Sequence, residues 1–242
     1  MFALPVFFTF TALSAWTLLS RAERSKTLSR SRSDWILDFT GLLFQGLLIP
    51  LLQLSWVGAL GSWAAPQLKG SLHLSAFFSF LLCFVGVDYL YYWNHRLLHQ
   101  PKAWALHRVH HSAKRVDVFT TSRNTLWTPF FIVYLWVNGL FIFILADPWP
   151  FLAAMALTSC LDLWRHGPQG THAPVWLKRL SIVLITPHEH HWHHSREKAG
   201  INFGANLSIW DRLHGTLYSP ENAPKTFGND VDLSLIRKLL AP

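Results

Sequence analysis

Apolar stretches long enough to cross a bilayer recur along the chain, separated by short polar segments. Residues 2–20 hold no charged side chain, and about 20 apolar residues suffice to span the hydrocarbon core. A second uncharged stretch runs from Phe39 to Leu68 and predicts one tilted helix with a kink at Pro50. Residues 72–94 make a third, whose apolar run is interrupted only by Asp88 before it leads into Asn94, His95 and Arg96. Residues 124–164 give two more stretches broken at Asp147-Pro148, which reads as a helical hairpin. From Arg165 onward the chain is amphipathic. The pattern predicts an all-α fold: a polytopic membrane helical bundle of about four to five spans under a helical histidine-rich cap. No internal repeat or low-complexity linker divides it, so residues 1–242 read as one domain.

Composition strengthens the membrane reading. The chain is 51% hydrophobic and 14% charged, where a soluble domain carries about 25% charged residues. Its net charge of +8 does not point to nucleic acid, because the cations flank the apolar spans and no nucleic-acid-binding motif is present. Arg21, Arg24, Lys26, Arg30 and Arg32 form the densest basic loop, and such loops stay in the cytoplasm. Five spans then place that loop, residues 95–123 and the region after 165 on one cytoplasmic face. The first twenty residues resemble a signal-peptide core but lack a basic start, and read as an uncleaved helix. Cys83 and Cys160 form no CxxC pair, which argues against a disulfide framework or an iron–sulfur site.

The 14 histidines change the picture most. His95 and His99 form HxxxH; His107, His110 and His111 form HxxHH; His190, His193 and His194 form a second HxxHH. Residues three and four apart share a helical face, so each box can present its imidazoles to one point. A single box is commonly no more than exposed or capped histidines. Three boxes on one face of a membrane chain favour metal, and eight imidazoles exceed the four ligands of a structural zinc, so two adjacent ions are expected. Imidazole alone does not name the metal. Asp88 falls on the helical stripe of His95 and His99, where its carboxylate is expected to take a ligand histidine's distal N–H. Asp162 stands four residues before His166 and suggests His166 as a ninth ligand. His73, His172 and His214 read as ordinary surface or loop residues. His188 and His191 point off the stripe of His190 and His194.

The run Asp88-x-x-x-Tyr92-Trp93-x-His95-Arg96-x-x-His99, then His107-x-x-His110-His111, then Thr186-Pro187-x-x-His190-x-x-His193-His194, resembles the fatty acid hydroxylase/sterol desaturase superfamily. The tail Asn202-Phe203-Gly204 and Leu207-x-x-Trp210-Asp211-x-x-x-Gly215-Thr216 is similar to that family's ending. The resemblance covers about residues 85–218. The chain departs from it at Gly167-Pro168, at His214, and at the extra His188 and His191.

The resemblance implies two iron ions, O₂ as co-substrate, and a lipid substrate such as a fatty acyl chain or a sterol. The expected activity is hydroxylation of a C–H bond, with desaturation as the alternative. Without a flavin, nicotinamide or ferredoxin-type fingerprint, the electrons are expected from a separate reductase with a ferredoxin or cytochrome partner. Lys102, Arg108, Lys114 and Arg115 are candidates to meet an acidic partner, or anionic lipid. A histidine-rich transporter would instead hold its ligands at the bilayer midplane.

Overall fold

The computed structural model describes residues 3–171 and 175–240; His172 lies outside them. Helices dominate: α1 (Ala3–Leu19), α2 (Arg21–Leu28), α3 (Arg32–Ala64) and α4 (Ala76–Leu98) are followed by α5 (Val133–Ile144) and α6 (Trp149–Arg165). A loop-rich C-terminal region then carries α7 (Val175–Leu180), α8 (Pro187–His193), α9 (Ile209–Leu213) and α10 (Leu235–Leu240). α6 packs between α1 and α4, while α5 lies against α3 and α4.

The long helix α3 begins seven residues earlier than the apolar run, because Ser31 caps it and accepts the Asp34 N–H at 3.1 Å. Pro50 leaves it unbroken. Ahead of the proline the helix widens into a π-turn over Phe44–Leu48, where the Ile49 N–H reaches back five residues to the Phe44 carbonyl. A second π-turn covers Gln53–Val57. The expected kink is thus absorbed within a continuous helix.

Two helices, α3 and α4, are long and apolar enough to cross a membrane, or three if α1 and α2 form one span. That pair bends by 98° at Ser20, so α2 leaves the direction of α1 at a right angle. Both stretches expected over residues 124–164 are helical, with the break at Asp147-Pro148 between α5 and α6, but each limb packs chiefly on other helices and the first is short. Ile132 is extended, which separates the turn Thr128–Phe131 from α5. The 12 residues of α5 cover about 18 Å, less than the roughly 30 Å hydrocarbon core. Length therefore supports fewer full spans than the four to five expected. The loops after α3 and after α5 do share one end of the bundle: Leu72 N–H donates to Ile144 O at 2.8 Å and Ala146 N–H to Leu72 O at 3.0 Å.

The opposite end is held by ion pairs. Arg123 contacts Asp38 through Nε at 2.6 Å and Asp34 through a terminal nitrogen at 2.9 Å. Arg30 bridges Asp38, at 3.2 Å, and Asp117, and Arg115 joins Asp117, at 3.1 Å, to Glu23. The basic segment read as a topology signal is therefore partly structural. Arg30 is committed to buried carboxylates, whereas Arg21, Arg24 and Arg32 stay exposed.

Candidate metal centre

Nine imidazoles converge at that end of the bundle, in two groups. His95, His99, His107, His111 and His193 form one, and His110, His166, His190 and His194 the other; within each group the nitrogens lie within 4.8 Å of one another. All nine sequence candidates are therefore in the two groups. Their supports vary. His95 lies in the last turn of α4, His99 caps it, and His107 closes the one-turn helix Trp104–His107. His110 and His111 share a 3₁₀ turn, and His166 caps α6. The third box lies on α8, which starts with Pro187 and a capping box between Thr186 and Glu189. The cap is thus less helical than expected, with the second box on turns.

The spacing HxxHH acquires a reason in this geometry. Each box does not serve one point. Its final doublet is split, His111 going to the first group and His110 to the second, His193 to the first and His194 to the second. Adjacent residues point about 100° apart on a helix, so a doublet feeds two neighbouring sites. The His111 and His194 rings stack across the boundary at 4.4 Å.

Backbone carbonyls fix the ring tautomers. Nδ1 of His95 donates to Phe203 O at 2.9 Å, that of His110 to Arg123 O at 3.1 Å, that of His193 to Ile201 O at 2.8 Å, and that of His166 to Asp162 O at 2.8 Å. A carbonyl only accepts, so Nε2 of each of these rings is a bare acceptor. His95 Nε2 faces His107 Nε2 at 3.0 Å, and His166 Nε2 faces His190 Nε2 at 3.0 Å. Nε2 of His99, His111, His193 and His194 is buried without any hydrogen bond. Converging buried ring nitrogens without hydrogen-bond partners suit a shared cation, so the residues fit two metal ions.

Burial and neighbouring imidazoles hold His107, His110, His111, His190 and His194 well below the usual histidine value, and burial brings His193 down to about 4. Metal binding needs these neutral rings. In the metal-free protein the unfolded chain takes up protons near pH 6.5, before the folded one does. Stability is therefore complete above that pH and is lost as the pH falls towards 4. Thermal melts of apoprotein should show Tm falling steadily below about pH 6.5; a flat profile there would contradict buried neutral imidazoles.

Asp88 departs from its expected role. Its carboxylate touches no histidine: it accepts the backbone N–H of Asn206 at 2.7 Å and of Leu207 at 3.1 Å, and the Trp210 indole at 2.8 Å. Those donors lie about 120 residues away in sequence and satisfy it before any ring can. Asp162 supports His166 mainly through its backbone carbonyl, since its carboxylate pairs with Arg165 at 2.8 Å and stays 3.7 Å from the ring.

Sequence reasoning missed Asp211 and Asn202. Asp211 accepts the N–H groups of Phe203 and Gly204, each at 2.8 Å. Asn202 has a positive φ of 53° and donates to the carbonyls of Glu189 and Tyr218, each at 2.8 Å. With Asp88 they fix the segment whose carbonyls hold His95 and His193. Both stood in the family-like tail, which was the available signal. His214, read as ordinary, stacks on Tyr92 at 5.0 Å.

The off-stripe histidines stay out of both groups. His188 Nε2 donates to Pro220 O at 2.8 Å. The His191 ring is wedged between Gly170, where a Cβ would strike it, and Phe227. Pro220 and Phe227 belong to a strap that crosses the cap. Along it, Asn222 O takes the Trp192 indole proton at 2.9 Å, Asn229 N–H donates to His111 O at 2.7 Å, and the Asn229 amide donates to Arg108 O at 2.9 Å.

A family profile described as fatty acid hydroxylase matches residues 80–216. Zebrafish (Danio rerio) alkylglycerol monooxygenase is 33% identical over 150 residues, covering 61% of this chain and 32% of the relative. Ornithine lipid hydroxylase OlsE of Rhizobium tropici is 32% identical over 161 residues, covering 65% and 46%. The human alkylglycerol monooxygenase is 30% identical over 148 residues, covering 60% and 32%. The match thus spans about a third to a half of these curated relatives. No solved structure matches. The matched region takes in more than half of the 242 residues and all nine grouped histidines, and the chain belongs to the fatty acid hydroxylase family.

Proposed function

We propose that this chain is a membrane-bound di-iron oxygenase that hydroxylates a C–H bond of a lipid. The observation that carries the reading is the pair of histidine groups with converging bare nitrogens, built directly onto the end of the apolar helix α4. The relatives named above are a monooxygenase of alkylglycerols and a hydroxylase of ornithine lipids, which favours hydroxylation over desaturation. In this reading the nine grouped histidines are the ligands, five around one ion and four around the other.

Bound iron supplies the reductive activation of O₂. The overall reaction is R–H + O₂ + 2 e⁻ + 2 H⁺ → R–OH + H₂O. The chain's own part is to hold and orient. The carbonyls of Phe203, Ile201, Arg123 and Asp162 keep Nδ1 protonated and aim Nε2 inward. Buried Phe203, whose ring meets those of His95, His99 and His193, excludes water there. A lipid enters from the bilayer with its chain along the apolar helices, and the basic residues near α2 keep the histidine end on the cytoplasmic side.

Anaerobically purified protein should carry close to two iron ions per chain. Cells expressing it should gain a lipid heavier by one oxygen atom in mass spectrometry. Full activity with a single bound zinc would overturn the di-iron reading.

A further inference from the structure

Hydroxylation as proposed above consumes two electrons, and these 242 residues carry no flavin, nicotinamide or iron–sulfur fingerprint to supply them. Within the five-histidine group, the ring contacts to residues other than histidine, among those described, come from Phe203, Tyr91 and Trp104. Phe203 is buried, and Tyr91 lies within the apolar helix α4. Trp104 differs from both. It sits beyond the end of the apolar helix α4 on its own helical turn, and unlike Phe203 it is only half-buried. Its indole centroid lies 5.2 Å from that of His99, 5.4 Å from His111 and 6.3 Å from His107. One side chain thus reaches from the solvent boundary to three of the five imidazoles.

Charge surrounds that point with one sign. Lys102 is exposed two residues before Trp104, and Arg108 closes the same turn, its N–H bonding to Trp104 O at 2.7 Å. Neither forms an ion pair among the described residues, and the buried Nε of Arg108 has no hydrogen-bond partner. Asn229, from the strap, holds the Arg108 carbonyl and so fixes this turn against the cap.

We propose that Trp104 is the electron entry point and that Lys102 and Arg108 form the landing site for an acidic one-electron carrier protein. The inference rests on the hydroxylase reading for its demand for electrons. Each hydroxylation oxidises two carrier molecules by one electron apiece. With two protons, those electrons reduce one oxygen atom of O₂ to water. The indole undergoes no net redox change; it bridges the carrier and the imidazoles. The cations shorten the search for the carrier by steering it, as complementary charge does at other protein contacts.

The test uses the full iron-loaded chain in nanodiscs of zwitterionic phosphatidylcholine, so that lipid charge takes no part. Stopped-flow absorbance follows reduction of the iron by three probes: a reduced [2Fe–2S] ferredoxin, the reduced soluble domain of a cytochrome b5, and dithionite. Lys102→Glu combined with Arg108→Gln should slow reduction by the better protein carrier about tenfold or more at low salt, with the gap closing at high salt. Trp104→Leu should slow it at every salt concentration, and Trp104→Phe should recover part of the rate. Iron content and the dithionite rate should hold in the charge variant and in Trp104→Phe. Unchanged carrier rates in both sets overturn the proposal, as does a parallel fall with dithionite, or wild-type protein that neither carrier reduces. Normal carrier reduction through Trp104 in a chain that oxidises no lipid would sink the hydroxylase reading and leave the entry point standing.

Discussion

His193→Ala should abolish turnover and strip iron from the five-histidine group, while His191→Ala, two residues away, should keep both ions. The His193 Nε2 is one of the buried bare acceptors, and its Nδ1 is held by Ile201 O, so no other side chain can take its place. Losing an outer hydrogen-bond partner of a ligand costs about 10–100-fold in affinity or activity, and losing the ligand itself should cost more. His191 instead fills the space between Gly170 and Phe227, so its removal should lower Tm through a cavity and spare the chemistry. Iron per chain and lipid product, measured side by side, decide it. Iron lost from His191→Ala but retained in His190→Ala would show that α8 presents a different face to the metals.

The second large effect is expected at Asp38. Its carboxylate is fully buried and receives Arg123 at 2.6 and 3.1 Å and Arg30 at 3.2 Å. Asp38→Ala leaves two largely buried guanidiniums short of a partner. Breaking a buried pair in this way costs about 3–5 kcal/mol, or roughly 6–20 °C in Tm for a chain of this size. The damage should also reach the metals, because the Arg123 carbonyl orients His110. Melting in detergent with parallel iron analysis would show both losses. A variant with wild-type Tm would mean that Asp34 and Asp117 carry the two arginines alone.

The histidine boxes were legible in the sequence because their spacing of three and four is itself a geometric statement. Side-chain identity revealed the ligand candidates, and periodicity revealed the helix that brings His95 to its place. What holds the rings was not legible. Four of the holding groups are backbone carbonyls, and a carbonyl has no sequence signature. Asp88 misled for a related reason: its stripe on α4 pointed at His95, but its partners Asn206, Leu207 and Trp210 are remote in sequence. Arg30 misled differently. Cations beside apolar spans usually report orientation, and only the fold shows that it meets Asp38 together with Arg123.

The strap over residues 220–229 has a consequence for biosynthesis. All nine grouped histidines are translated before it, His194 preceding Asn229 by 35 residues. At about 5–20 residues per second, the ribosome leaves the complete set unsheltered for roughly 2–7 s, and its earlier members for longer. During that interval the nitrogens compete openly for whatever ions the cell offers, and copper and zinc outrank ferrous iron at such sites. Which metal is captured is then decided by what is present before the strap closes over His111, His188 and Trp192.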